Sequence, residues 1–199
     1  NILIYEGEYL NGERDGKGKE YNDKSILIFE GEYLKNKKWN GKGKEYNDNN
    51  ILIYEGEYLN GERDGKGKEY NESGNLIFDG EYLKNKKWNG KGKEYYKNNE
   101  IKFEGEYLNG ERRMGVEYNE DSKIIFEGEY SNGIKWNGKI KEYCYKNKKI
   151  IFEGEYLNGE KNGKGIEFNE DGNLIFEGEY SNGKGLNGKF KNYYKNGKA

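Results

Sequence analysis

The chain has 199 residues, of which 32% are hydrophobic and 36% are charged, with a formal net charge of −2. This balance excludes the strong positive field of a nucleic-acid-binding protein, so no nucleic acid is expected as a partner. The low hydrophobic content alone would favour disorder, but the chain carries 20 Tyr, 8 Phe and 3 Trp, and disordered chains are poor in aromatic residues.

The chain has no His, the commonest general base and transition-metal ligand, and its one cysteine, Cys144, cannot form an internal disulfide. We therefore expect a reducing, cytoplasmic location and no catalytic residue, cofactor or metal. No signal peptide or apolar run long enough to span a bilayer is present. Because Asn1 falls in mid-pattern and Met114 is the only methionine, we expect the chain to be part of a longer protein.

The first unit, residues 1–23, predicts one β-hairpin. Residues 2–10 are rich in β-branched and aromatic side chains, which favour strands. Asn11-Gly12 follows, a strong signal for a tight turn, and residues 17–21 form the predicted return strand. The frequent glycines and the absence of an apolar period of 3.6 argue against helix.

Within this unit lies a five-residue motif, aromatic–acid–Gly–Glu–Tyr, that recurs eight times along the chain. A fixed period of this kind indicates a repeat array. The aromatic, glycine and tyrosine positions of the eight copies are Tyr5, Gly7 and Tyr9; Phe29, Gly31 and Tyr33; Tyr54, Gly56 and Tyr58; Phe78, Gly80 and Tyr82; Phe103, Gly105 and Tyr107; Phe126, Gly128 and Tyr130; Phe152, Gly154 and Tyr156; Phe176, Gly178 and Tyr180.

The following units alternate between two forms. The second and fourth carry a turn region one residue longer than the first, containing Trp39 and Trp88, so the full period is a pair of hairpins of about 49 residues. Later units diverge, although Trp136 keeps the longer form in the sixth. We predict hairpins beginning near residues 1, 26, 51, 75, 100, 123, 149 and 173, in one domain spanning 1–199.

These patterns predict an all-β fold, an elongated, twisted single antiparallel sheet of eight hairpins of about 24 residues. Strand alternation places Tyr5, Gly7 and Tyr9 on one face, where a ring from a neighbouring hairpin is expected to fill the gap at Gly7. Glu6 and Glu8 are expected on the other face, near lysines of the return strand.

The repeated residues resemble those of the MORN (membrane occupation and recognition nexus) repeat. Tyr5-Glu6-Gly7-Glu8-Tyr9 followed by Gly16-Lys17-Gly18 fits its pattern, as does the copy that starts at Phe152. The resemblance covers essentially the whole chain, with Tyr at a position where Trp is commoner in the family. It implies tandem hairpins in an elongated sheet and a scaffold or adaptor role, with lipid association proposed for some members.

Other motifs favour structural interpretations. Gly16-Lys17-Gly18-Lys19 lacks the strand–loop–helix context and the terminal Ser or Thr of a phosphate-binding loop. The repeated glutamates, with lysines nearby, are typical of a solvated face rather than a catalytic or Ca²⁺ site. The acidic segments 119–122 and 169–172 are predicted as turns, and Cys144 has no His to activate it.

Three Lys-Trp pairs are the candidate binding residues: Lys38 with Trp39, Lys87 with Trp88, and Lys135 with Trp136. Tryptophan beside a cation is common at membrane interfaces, and Trp is enriched in protein interfaces. The structural alternative is that each Trp packs on the next turn and closes the end of the aromatic seam.

Together these patterns predict a non-enzymatic scaffold or adaptor that binds proteins or itself, as a homodimer or by end-to-end assembly. The first alternative is a peripheral module that binds an anionic phospholipid surface. The second is the non-catalytic targeting region of a larger enzyme. The predicted location is cytoplasmic, with association to cytoskeleton or membrane.

Overall fold

A computed structural model describes residues 1–193, which contain β-strands and no helix. The strands are β1 (Tyr5–Leu10), β2 (Glu13–Tyr21), β3 (Leu27–Leu34), β4 (Lys37–Tyr46), β5 (Leu52–Leu59), β6 (Glu62–Tyr70), β7 (Leu76–Leu83), β8 (Lys86–Tyr95), β9 (Ile101–Leu108), β10 (Glu111–Tyr118), β11 (Ile124–Ser131), β12 (Ile134–Tyr143), β13 (Ile150–Leu157), β14 (Glu160–Phe168), β15 (Leu174–Ser181) and β16 (Lys184–Phe190).

The sixteen described strands form one antiparallel sheet in chain order, so each of β2 to β15 lies between its sequence neighbours. Consecutive pairs form eight hairpins, numbered 1 to 8 from β1–β2 to β15–β16. The second strand of each hairpin is its return strand. The prediction of an all-β antiparallel sheet of eight hairpins is thus confirmed.

The described chain divides into two compact units. The first is Asn1–Lys93 with Glu106–Gly110, and the second is Glu94–Gly105 with residues 111–193. Both units repeat the same local plan. The assignment of residues 1–199 to one domain stays a prediction, and residues 194–199 lie outside the described part. No helix in residues 1–193 is long and apolar enough to cross a bilayer.

Pairing within the hairpins alternates between two registers. In hairpin 1 Gly7 lies opposite Gly18, whereas in hairpin 2 Gly31 lies opposite Gly41. Gly18 also lies opposite Gly31 between the two hairpins, so paired glycines form a row across four strands. A second row of the first unit runs through Gly43, Gly56, Gly67, Gly80 and Gly90.

The first aromatic ring of a hairpin lies over the glycines of that same hairpin. A Cβ added to Gly18 would be 2.4 Å from the Tyr5 hydroxyl oxygen, and one added to Gly7 would be 2.6 Å from it. The expectation that a neighbouring hairpin fills the gap at Gly7 is therefore wrong. The tyrosine ring of the following hairpin instead covers a glycine of the return strand, because a Cβ added to Gly43 would lie 2.9 Å from the Tyr58 ring.

The rings form a zigzag in which the tyrosine of one hairpin meets the first ring of its own hairpin and that of the preceding one. Tyr33 contacts Tyr5 and Phe29 at centroid distances of 5.2 Å, both in T-shaped geometry. In the second unit Tyr180 contacts Phe152 and Phe176 at 5.2 and 5.0 Å. The fully buried side chains are first rings of the motif: Phe29, Tyr54, Phe78, Phe103, Phe126, Phe152 and Phe176.

Two-residue turns close both kinds of hairpin. Asn11 and Gly12 have φ values of 52° and 83°, and Lys35 and Asn36 have φ values of 47° and 66°. Positive φ at both positions fits the right-handed twist of the flanking strands. The extra residue of the longer form lies in the return strand, where Trp39 interrupts the pairing between Lys38 and Asn40. The expectation of a longer turn is therefore wrong.

Candidate binding surfaces

Each tryptophan is half-buried beneath the turn of the following hairpin. The Gly61 N–H donates to the Trp39 carbonyl at 2.8 Å, and a Cβ at Gly61 would lie 3.7 Å from the indole ring. The same pairing joins Gly110 to Trp88 and Gly159 to Trp136, each with a hydrogen bond of 2.9 Å. The indole rings thus support the neighbouring Asn-Gly turns, as in the structural alternative.

The lysines beside these tryptophans lie over the aromatic rings of their own hairpins. Lys38 Nζ is 5.5 Å from the Phe29 ring centroid and 3.2 Å from Glu20 Oε2. The corresponding distances are 5.5 Å to Phe78 and 3.4 Å to Glu69 for Lys87, and 5.6 Å to Phe126 and 3.5 Å to Glu117 for Lys135. Each cation is therefore already engaged within the sheet, and a binding role for the Lys-Trp pairs stays a prediction.

In six of the described hairpins a glutamate near the end of the return strand bonds to a tyrosine of the following hairpin. The Tyr33 hydroxyl donates to Glu20 at 2.9 Å, and the Tyr82 hydroxyl donates to Glu69 at 2.7 Å. The same contact recurs between Tyr58 and Glu45, Tyr130 and Glu117, Tyr156 and Glu142, and Tyr180 and Glu167. Each hairpin is thus fixed to the preceding one by a ring contact, a hydrogen bond or both.

At Glu45 the carboxylate also binds an arginine from the next hairpin. Arg63 Nε donates to Glu45 at 2.9 Å, Arg63 Nη2 donates to its other oxygen, and the guanidinium carbon lies 4.0 Å from the Tyr54 ring centroid. Burial raises the pKa of Glu45, but the hydrogen bonds from Arg63 and Tyr58 outweigh it and leave the pKa below its ordinary value. Burial, then the bond to Glu45, raises the pKa of Tyr58 well above its usual range.

This network was missed at the level of sequence. The signal that could have found it is the repeated Lys-Glu-Tyr near the end of the return strand, together with an Arg or Lys two residues after each turn. The solvated face was predicted for the glutamates of the five-residue motif, and no contact was predicted for these return-strand glutamates.

The opposite face carries alternating charges around the glycine rows. Lys19 Nζ lies 3.1 Å from Glu30, and the Tyr21 hydroxyl donates to Glu6 at 2.7 Å. An open groove of about 550 Å³ lies on the first unit, lined by charged side chains of both signs, by glycines and, at one end, by Leu27, Ile28 and Phe29. Within residues 1–193 no cluster of His, Cys, Asp or Glu could hold a metal ion. The face thus resembles a solvated surface of paired charges.

Comparison with protein-family models identifies the repeated unit. The MORN repeat matches residues 5–25, 29–51, 54–76 and 152–174, and the MORN repeat variant matches residues 88–109. Together these matches cover more than half of the chain. The chain belongs to the MORN repeat family. A search of curated proteins finds no match.

The four MORN segments each begin at the first ring of a hairpin and end just before the next hairpin or at its first residue, whereas the variant match begins at Trp88 in β8 and ends at Asn109 in the turn of hairpin 5. Hairpin 6 shows how the plan tolerates change. Ile140 stands where hairpin 2 has Gly43, and it is buried. Tyr156 of the following hairpin keeps its bond to Glu142 at 2.9 Å, but it has no ring partner among the described residues. A bulky side chain at this position therefore displaces the next tyrosine ring without preventing strand pairing.

Exposed leucines form a further repeated feature of the MORN hairpins. In six hairpins the last residue of the first strand is a leucine whose side chain is between 39% and 60% exposed: Leu10, Leu34, Leu59, Leu83, Leu108 and Leu157. Strand alternation places each leucine on the face opposite the preceding tyrosine of the motif. Five of the six belong to the first compact unit. These leucines are named the leucine row.

Proposed function

We propose that this chain is a non-enzymatic MORN-repeat scaffold that binds protein partners. The observation that carries the proposal is the leucine row, which presents one exposed apolar side chain at the same position in each of the five hairpins that contribute to it in the first unit, and again at Leu157 in the second. Large apolar side chains repeated along one surface favour a protein-binding role.

The arrangement of the charged groups supports a binding role rather than catalysis. In a catalytic site, the surroundings within a pocket typically shift the pKa of one or two particular groups away from the ordinary value. Here the contact between a tyrosine and a glutamate is repeated from hairpin to hairpin, as in Tyr33 with Glu20 and Tyr180 with Glu167. Repetition of one contact fixes neighbouring hairpins to each other and does not create a unique site.

The spacing of the leucine row suggests how a partner would bind. Leu34, Leu59 and Leu83 stand on every second strand of the first unit. Adjacent strands lie about 4.8 Å apart, so successive leucines stand about 10 Å apart. A partner that binds along the row must present apolar side chains at a similar spacing, which an amphipathic segment does.

The test compares two triple variants against a displayed library of random peptides. Leu34→Ser, Leu59→Ser and Leu83→Ser remove the centre of the row. The control changes exposed lysines on the same sheet, Lys42→Ser, Lys66→Ser and Lys91→Ser. We expect peptides enriched on the wild-type chain to bind the lysine variant and to lose binding to the leucine variant, with circular dichroism confirming that both are folded. Enriched peptides that bind both variants equally, or no enrichment at all, would contradict the proposal.

A vesicle experiment separates this proposal from the lipid alternative. Vesicles of phosphatidylserine and phosphatidylcholine are sedimented with the wild-type chain and with Trp39→Ala, Trp88→Ala, Trp136→Ala. We expect no co-sedimentation at physiological salt, because the tryptophans support neighbouring turns and the adjacent lysines are paired. Vesicle binding that the triple tryptophan variant loses would favour the lipid module instead.

A further inference from the structure

Asn-Gly occurs twelve times in this chain, and the pair has a reactivity of its own. The backbone nitrogen of the glycine can attack the side-chain Cγ of the asparagine, because glycine has no side chain to obstruct the approach. Ammonia leaves, and water opens the resulting succinimide ring to aspartate or isoaspartate. In a folded chain the rate depends on local opening, and therefore on how firmly the glycine N–H is held.

The Asn-Gly pairs within strands are held by the sheet. Asn40 Nδ2 donates to Glu32 at 2.8 Å, its Oδ1 accepts the Asn60 N–H, and Gly41 pairs with Gly31. The other pairs within strands are likewise held by strand pairing: Asn89-Gly90, Asn137-Gly138, Asn162-Gly163 and Asn187-Gly188. The glycine nitrogen of these pairs cannot reach the asparagine side chain unless the sheet opens.

Four Asn-Gly turns are held by the hairpin that precedes them. Gly61, Gly110 and Gly159 donate their N–H groups to tryptophan carbonyls, and Gly183 donates to the Lys161 carbonyl at 3.0 Å. The nitrogen that would attack is thus engaged in a hydrogen bond. Asn11-Gly12 has no preceding hairpin in this chain, and Asn196-Gly197 lies outside the described residues.

The turn of hairpin 6, Asn132-Gly133, lacks this attachment. Within residues 1–193 the Gly133 N–H has no hydrogen-bond acceptor, and the Asn132 side chain has no partner. Both residues are exposed, and a Cβ added to Gly133 would meet no atom within 4 Å. The attacking nitrogen and the side chain that it would attack are therefore both free of contacts.

The attachment is missing because hairpin 5 has a shorter return strand. β10 has eight residues, whereas β14 has nine. In β14 the additional residue accompanies an irregularity at which Gly163 has a φ of 77°, and the Lys161 carbonyl before it meets the turn of hairpin 8. No residue of β10 has a positive φ, and no carbonyl of this strand accepts the Gly133 N–H.

Hairpins 6 and 8 have the same sequence up to the end of these turns. Residues 125–133 and 175–183 both read Ile-Phe-Glu-Gly-Glu-Tyr-Ser-Asn-Gly. Asn132 and Asn182 also have the same backbone conformation, with φ values of 49° and 48°. The preceding hairpin differs between the two, so a difference in reactivity cannot come from the local sequence.

We propose that Asn132 is a modification site, at which the Gly133 nitrogen closes a succinimide that water converts to aspartate or isoaspartate. As the bond from the Gly133 nitrogen to Cγ forms, the bond from Cγ to the side-chain nitrogen breaks. That nitrogen leaves as ammonia with the proton that the Gly133 nitrogen loses, and water is the co-reactant of the second step. The product adds a negative charge to this turn, and the proposal does not rest on the leucine row.

The test follows deamidation of the whole chain in mildly alkaline buffer. Samples taken at intervals are digested with trypsin, and deamidated peptides are quantified by mass spectrometry. Trypsin cleaves after Lys and Arg, so Asn132 and Asn182 are released in different peptides. We expect Asn132 to react about two- to tenfold faster than Asn182, which is the factor that one net hydrogen bond makes. In concentrated urea the two rates should be equal.

A pair of variants exchanges the forms of the two return strands. Insertion of Asp after Arg112, together with Arg113→Gly, gives hairpin 5 the Arg-Asp-Gly sequence of hairpin 1. This variant should slow the reaction of Asn132 to the rate of Asn182. Deletion of Asn162 shortens the return strand of hairpin 7 to the length of β10 and should accelerate the reaction of Asn182. Circular dichroism confirms that each variant is folded.

Equal rates at Asn132 and Asn182 in the folded wild-type chain would overturn the proposal. A faster reaction of Asn132 that persists in urea would also overturn it, because the difference would then not come from the fold. A folded insertion variant that still reacts at Asn132 as fast as the wild-type chain would assign the exposure to another cause and overturn the proposal as well. If a variant does not fold, the wild-type comparison decides alone.

Discussion

Glu45 connects two neighbouring hairpins through a single carboxylate. It belongs to β4, while the two side chains that donate to it, Tyr58 and Arg63, belong to hairpin 3. The Glu45 side chain is partly shielded from water, so Tyr58 and Arg63 would both lose their hydrogen-bond acceptor in a half-buried site if it were removed. The glutamate is therefore worth more to the fold than a charge on the opposite face.

Glu45→Ala should lower the free energy of unfolding by about 1–2 kcal/mol, because Tyr58 and Arg63 lose their shared acceptor in a half-buried site. The control is Glu30→Ala, whose side chain is 56% exposed and pairs with Lys19. Its effect should stay below about 0.5 kcal/mol. Urea unfolding measures both, and equal losses would contradict the assigned role of Glu45.

The raised pKa values of the buried tyrosines predict that the folded chain loses stability at alkaline pH. Burial raises the pKa of Tyr54 to about 12, and burial with the bond to Glu142 raises that of Tyr156 to about 12. The folded chain thus keeps protons that the unfolded chain releases near pH 10. The stability that these groups contribute is present below pH 10 and is lost as the pH rises toward 12.

Urea midpoints measured across this interval should fall while tyrosinate absorbance lags behind that of the unfolded chain. Tyr54→Phe provides the matched variant, because Phe29 and Phe78 occupy the same position in hairpins 2 and 4. This variant should show a shallower fall. A midpoint that stays constant through the interval would count against the raised tyrosine pKa values.

At the scale of the element, each turn also serves as an attachment to the preceding hairpin. The Asn36 N–H donates to the Arg14 carbonyl at 2.9 Å, and the Arg14 N–H donates to the Asn36 side chain at 2.8 Å. Asn40 accepts the Asn60 N–H in the same way at 2.9 Å. Turns of the two hairpin forms are therefore held to the preceding hairpin by different residues.

Lys35→Asn should stabilise hairpin 2 by about 0.5–1 kcal/mol. Lys35 has a φ of 47°, a left-handed conformation that costs an ordinary side chain about 1 kcal/mol and that Asn tolerates better. Lys35→Gln removes the same charge, but Gln does not tolerate the left-handed conformation as Asn does, so the stability of hairpin 2 should change little. Thermal unfolding measures both variants, and equal shifts would show that charge, not backbone conformation, decides the effect.

The sequence was sufficient to predict the hairpins, the chain-order sheet and the aromatic seam, because tyrosines and glycines alternate on a period of two. It did not predict which glycine each ring covers. That depends on the register slip between Gly7–Gly18 and Gly31–Gly41, which arises from irregularities within the strands. Trp39 was predicted in the turn and not in the return strand, because one residue added to a turn lengthens the sequence as much as one residue added to a strand.

At the scale of the whole molecule, the contacts that hold each hairpin come mainly from its immediate neighbours. Ring contacts, tyrosine–glutamate bonds and turn attachments each join one hairpin to the preceding one. Stability in such an array is close to a sum over hairpins and the interfaces between them. Residues 1–49 should therefore be dispensable for folding of the remainder.

A chain of residues 50–199 should fold, with a urea m-value of roughly three-quarters of the full-length value, since the m-value scales with the surface exposed on unfolding. A chain of residues 25–199 is the control, because it lacks only hairpin 1, and its m-value should fall between those of the other two chains. Failure of the first chain to fold would contradict stabilisation by neighbours alone.

The zigzag of T-shaped rings also has an optical consequence. Light absorbed by one tyrosine can pass to a neighbouring tyrosine by resonance energy transfer, as between Tyr5 and Tyr9 at 5.5 Å and between Tyr5 and Tyr33 at 5.2 Å, whereas phenylalanine absorbs at higher energy and cannot accept it. The three tryptophans are the natural acceptors of this energy. Tryptophan emission excited through tyrosine should therefore fall when the hairpins unfold and the tyrosines move away from the tryptophans.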